Sequence, residues 1–126
     1  MKGRIAILEI LKPDDLPFLN SNDRLNRFAE AKHKRRWRQL GAKAVEDAYP
    51  SIIDAFVNPV HVVATIWKPV ANRYDPNNLW ASVKPIMDGV VDSGLLVDDD
   101  HKHVLGPDHR HGGKGRARIV LRREEL

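Results

Sequence analysis

Six aspartates and a single base occupy residues 75–100, and two strongly basic segments flank them. Carboxylates gathered without cysteine or histidine are hard oxygen donors, which suit Mg²⁺ or Mn²⁺. Asp75 precedes an apolar-periodic segment, and Asp98, Asp99 and Asp100 follow it. If the chain brings the two groups together, a carboxylate-held Mg²⁺ can activate water and stabilise an in-line phosphoryl displacement. The amide oxygen of Asn77 adds a neutral ligand to that set. The plain alternative is that Asp75 opens an Asp-Pro turn and residues 98–100 form a solvated one, and composition alone favours it. Lys84 divides in the same way. It can face a phosphate or leaving oxygen, or it can pair with Asp88 at the i,i+4 spacing, and in isolation the pair is favoured.

The basic residues are as segregated as the acids. Residues 24–43 hold eight Lys or Arg and one acid, Glu30, and residues 101–123 hold seven and one acid, Asp108. The net charge is +4. Basic faces attract polyanions and release counterions on binding them, whereas an exposed acidic cluster repels DNA unless a divalent cation neutralises it. Lys32, Lys34, Arg35, Arg36 and Arg38 read as phosphate contacts, with Trp37 assigned to the core side of their helix. Arg73, two residues before Asp75, is a further contact candidate. Arg116, Arg118 and Arg122 share one strand face by alternation, where they extend the DNA surface or protect a sheet edge.

Two HxH pairs, His101/His103 and His109/His111, are a rival zinc site, discounted because glycine and proline surround them. The chain lacks cysteine. That excludes disulfides, thiolate-bound zinc and thiol catalysis, and it suits a reducing cytoplasm. There is no phosphate-binding P-loop, dinucleotide fingerprint or nucleophile elbow, so no nucleotide cofactor is expected. No apolar run approaches the roughly 20 residues that span a bilayer, and residues 1–11 lack the features of a signal peptide.

These residues need elements to position them. Residues 4–11 read as a strand, 12–22 as a loop, and 24–48 as a helix capped by Asn22 or Asp23. Residues 60–68, VHVVATIWK, form the clearest strand, and 70–78 a loop. A second helix starts near Ser82 or Lys84, since Pro85 fits only a first turn. Its apolar face is Val83, Met87, Val90 and Val91, and Gly94 stops it. Residues 109–115 read as a mobile glycine-rich loop and 116–122 as a final strand, with one more strand near Val104. The length and order predict one α+β domain over residues 1–126, with a mixed sheet and two main helices.

At this point a resemblance becomes specific. Residues 75–100 read DPNNLWASVKPIMDGVVDSGLLVDDD. Asp75, Asn78 and Leu79, then Lys84 and Asp88, Gly94, and the pair Asp98-Asp99 resemble the signature of the RusA-like Holliday junction resolvases. The opening strand, basic first helix and basic C-terminal strand resemble the family more weakly. The resemblance implies a homodimer that binds four-way DNA junctions and nicks symmetrically placed strands with Mg²⁺. It implies Asp75 and Asp99 as metal-binding catalytic carboxylates and Lys84 as a catalytic cation, with Asp98 or Asp100 assisting. It makes a phage setting in a host cytoplasm plausible. Two departures stand out. Asn77 replaces the family's second aspartate, and about three extra residues separate the first motif from Lys84. A non-catalytic DNA-binding protein, and a flap- or fork-cutting nuclease of the same chemistry, are the rival readings.

Overall fold

The computed structural model describes residues 5–20, 26–49, 59–70, 74–95 and 104–126. Strands β1 (Ile5–Leu11), β2 (Val60–Lys68), β3 (Val104–Lys114) and β4 (Arg118–Glu125) form a mixed sheet in the order β1-β4-β2-β3. β4 runs antiparallel to both its neighbours, while β2 and β3 are parallel. Helices α1 (Arg27–Ala48) and α2 (Trp80–Asp92) pack on each other. This is the α+β architecture that the element order predicts.

The strands form where period-2 alternation gives them one apolar face. Ala6, Leu8 and Ile10 of β1, Val60, Val62, Ala64 and Ile66 of β2, and Ile119 and Leu121 of β4 are buried. They meet Trp37 and Val45 of α1 and Val83, Ile86, Met87 and Val90 of α2 in one core. Each of the larger aliphatic side chains contributes about 1.5–3 kcal/mol by leaving water. Trp37 lies on the core side as expected. Its ring stacks on Phe18 at 5.8 Å and its indole N–H donates to the Pro17 carbonyl at 3.1 Å. The parallel β2–β3 pair requires a crossover, and α2 supplies it. That crossover carries Asp75 and Lys84.

Several boundaries differ from the sequence reading. The cap of α1 is Asn26, whose side chain accepts from the Phe28 N–H at 2.8 Å, so the helix begins at Arg27 and not residue 24. Asn22 and Asp23 lie outside the described residues. A 3-10 turn, Pro76–Leu79, occupies the expected loop and runs straight into α2. The helix therefore starts at Trp80, a turn early, and Pro85 sits inside it. Proline there removes the bond to the Ala81 carbonyl, and burial of the Pro85 ring in the helix interface offsets the loss. Gly94 ends α2 at φ +87°, as expected. The glycine-rich residues 109–114 belong to β3. Their glycine content answers to packing: a Cβ on Gly112 would stand 2.5 Å from the Trp67 ring. The last strand begins at Arg118, which leaves Arg116 in the preceding bend. Moreover, β4 lies inside the sheet, so its arginines do not protect an edge.

Arg123 was not anticipated. Its register partners are Ala6 and Val62, on the core face, and the residue is fully buried. None of its three guanidinium nitrogens has a hydrogen-bond partner among the described residues. Desolvation pushes its pKa down to about 10, against a weak opposing effect of Tyr49. A buried charge of this kind opposes folding by several kcal/mol, and an apolar side chain of similar length avoids that cost. Arg123→Met is expected to leave the Tm unchanged or raise it by a few degrees in thermal unfolding followed by circular dichroism. A clear fall would show that the guanidinium has a stabilising partner.

Candidate functional site

Asp75 is placed by local chain chemistry. Its carboxylate caps the 3-10 turn, with Oδ1 accepting from the Asn77 N–H at 3.0 Å, and its carbonyl accepts from the Asn78 N–H at 3.0 Å. The turn is thus both the Asp-Pro opening that composition favours and the mount for a carboxylate one short turn ahead of α2. Asn77 stands two residues on, within the turn. Arg73 and residues 98–100 lie outside the described residues, so the meeting of Asp75 with Asp98, Asp99 or Asp100 lies there as well. Among the described residues, no three His, Asp or Glu side chains are gathered closely enough to hold a metal.

The 3-10 turn packs against β3, and this brings an aromatic and histidine wall to Asp75. The Tyr74 ring lies 4.3 Å from His111, and its hydroxyl donates to the Ile66 carbonyl at 3.1 Å. The Trp80 ring meets His109 edge-on at 5.5 Å. His109 and His111 share a strand face, as the zinc reading requires, but they turn to different partners. His111 Nδ1 accepts from the Gly113 N–H at 2.9 Å, whereas His109 Nε2 is buried without a hydrogen bond among the described residues. His101 and His103 lie outside the described residues.

Burial holds the His109 pKa below the usual histidine value, against the opposing charges of Asp108 and Asp75. A base with a lowered folded pKa takes its proton first in the unfolded chain. Its contribution to stability is therefore complete above the ordinary histidine range and is lost as pH falls through that range. The Tm is expected to drop between about pH 7 and pH 5, around the ordinary histidine pKa, and His109→Gln to flatten that drop. An unchanged slope in the variant would assign the effect to another group.

Lys84 pairs with Asp88 at 2.9 Å, the contact that the i,i+4 spacing favours. It also lines a groove between the helices together with Lys34, Arg35 and Arg38. Arg38 forks onto Asp92, with Nη2 at 2.7 Å from Oδ1, and this holds the Asp92 pKa below the usual carboxylate range. Lys34 pairs with Glu30 at 3.0 Å. Lys32 is exposed on α1, while Arg36 reaches away to Asp15 at 3.0 Å. Arg118 sits on the opposite face of the sheet, its guanidinium 4.1 Å over the Trp67 ring and 3.7 Å from Glu9. The basic residues therefore do not form one surface. The groove joins Lys34, Arg35 and Arg38 to Lys84, and the open sheet face carries Arg118 and Arg122.

Sequence reasoning missed Trp80 and underrated His109. Nothing in the spacing marks Trp80, because only the register of β3 sets His109 against it. No protein-family model matches the chain, and no curated protein matches it closely. Among the described residues, no helix is long and apolar enough to cross a membrane.

Proposed function

We propose that this protein is a metal-dependent endodeoxyribonuclease of the RusA-like type, which resolves four-way DNA junctions by paired phosphodiester hydrolysis. The observation that carries the reading is the shared groove. Lys84, the cation of the motif, lines one surface with Lys34, Arg35 and Arg38 of the basic helix, in the helix that follows the turn capped by Asp75. A phosphate backbone held by those cations runs along the element that carries the motif.

Asp75 and Asp99, with Asn77 and either Asp98 or Asp100, would hold Mg²⁺ or Mn²⁺. The donor set fits a hard cation, since all are oxygen ligands. When bound there, the cation supplies charge neutralisation and an activated water for phosphodiester hydrolysis. Lys84 neutralises charge on the reacting phosphate, exchanging its half-buried pair with Asp88 for the phosphate oxygens. Arg73 and the cations of α1, Lys32 among them, hold the junction arms, with Arg36, Arg116 and Arg118 as further contacts. A homodimer in the cytoplasm, of the host cell for a phage protein, matches the two-fold symmetry of a junction. Exposed Ile5, Ile7 and Leu11 along edge strand β1 support such a partner.

The test is cleavage of a synthetic four-way junction with and without Mg²⁺, beside flap and fork substrates. Paired symmetric nicks support the resolvase. Preferential cutting of flaps or forks would assign the same chemistry to another substrate. Tight binding with no cleavage in Mg²⁺ or Mn²⁺ would favour a non-catalytic DNA-binding protein, the reading that Asn77 encourages.

A further inference from the structure

We propose that the groove between α1 and α2 is a binding site for single-stranded DNA, with Trp80 as the surface on which a base stacks. The inference rests on the nucleic-acid half of the reading above and not on its metal chemistry.

The groove lies beside a close contact of the two helices. Gly41 of α1 lies against the Ile86 backbone, and Gly89 of α2 against the backbone of Arg38 and Ala42. Next to these contacts, residues 30–38 of α1 and 80–88 of α2 line a cavity of about 730 Å³. Cavities of roughly 300–1,000 Å³ hold drug-sized ligands. Unpaired bases expose faces that can stack on a ring in such a cleft, whereas the bases of a duplex are already stacked on one another.

The lining has the two parts that single strands need. Four cations, Lys34, Arg35, Arg38 and Lys84, face two acids, Glu30 and Asp88. Arg35 has no ion pair among the described residues, and the Lys34–Glu30 pair is exposed and easily exchanged for a phosphate. Trp80 is the aromatic wall and remains 38% exposed although it opens a helix that is otherwise largely buried. Stacking on an aromatic ring combined with a basic groove is how sequence-tolerant single-strand sites are built. The same ring touches His109 of β3 edge-on. Trp80 opens α2 directly after the 3-10 turn that Asp75 caps.

Fluorescence anisotropy of a labelled oligothymidylate and of a duplex of equal length, both in EDTA, tests the proposal. Trp80→Leu is expected to weaken single-strand binding about 10- to 100-fold, with the duplex changed less than about twofold, and Trp80→Phe to restore most of the loss. Arg35→Gln should also lower the salt dependence for the single strand by about 0.7 in log–log slope. Equal loss for both ligands, no loss for either, or no rescue by phenylalanine would overturn the groove assignment, even where junction cleavage is intact. Single-strand binding that follows these expectations in a protein that never cuts would leave the site standing and remove only the nuclease reading.

Discussion

Asp75→Asn is expected to lower Mg²⁺-dependent junction cleavage by a factor of about 100–1,000, the scale seen when one preorganised charge-stabilising group is removed. Junction affinity in EDTA and the Tm should be nearly unchanged. The substitution separates two roles of one side chain. Asparagine keeps an oxygen that accepts from the Asn77 N–H, and it caps helical turns about as well as aspartate. It removes the negative charge. Titration of His109 by NMR gives a readout independent of cleavage. The charge of Asp75 favours the protonated imidazole, so the variant should titrate lower than the wild type. A fully active variant would reduce Asp75 to a turn residue. Loss of both cleavage and EDTA-resistant binding would point instead to a rearranged groove.

Gly89→Ala is expected to destabilise the fold by about 1–3 kcal/mol, the usual cost of overpacking, although alanine is the better helix former by about 1 kcal/mol. Packing outweighs propensity because the contact is with backbone. A Cβ on Gly89 would stand 2.0 Å from the Arg38 carbonyl oxygen and 2.8 Å from the Ala42 nitrogen. No rotamer relieves that clash, so α1 and α2 must separate. For a chain of this size the Tm falls by several degrees for each kcal/mol. Thermal and denaturant unfolding measure the loss. Single-strand binding should weaken with it, since the same contact sets the width of the groove. A Tm that rises, as helix propensity alone dictates, would mean that the two helices do not approach at Gly89.

The chain by itself determined much of the architecture. The alternation in VHVVATIWK defined β2 to the residue, the helical spacing of α1 placed Trp37 in the core, and Gly94 marked the end of α2. The segregation of charge and the Asp75–Lys84–Asp88 spacing picked out the candidate chemistry, because local sequence alone dictates caps and i,i+4 neighbours. Long-range pairing decided the rest. The residues 109–114 are polar and glycine-rich, so they look like a loop until β2 provides the hydrogen-bonding edge and Trp67 fills the space that the missing side chains leave. Arg123 follows a basic strand and carries no local mark of burial, yet strand register turns it into the core. Trp80 and His109 stand 29 positions apart in the numbering, and Lys34 and Lys84 50 apart. Only the crossover from β2 to β3 and the close contact of two glycine-bearing helices bring each pair together, since no local periodicity encodes which elements become neighbours.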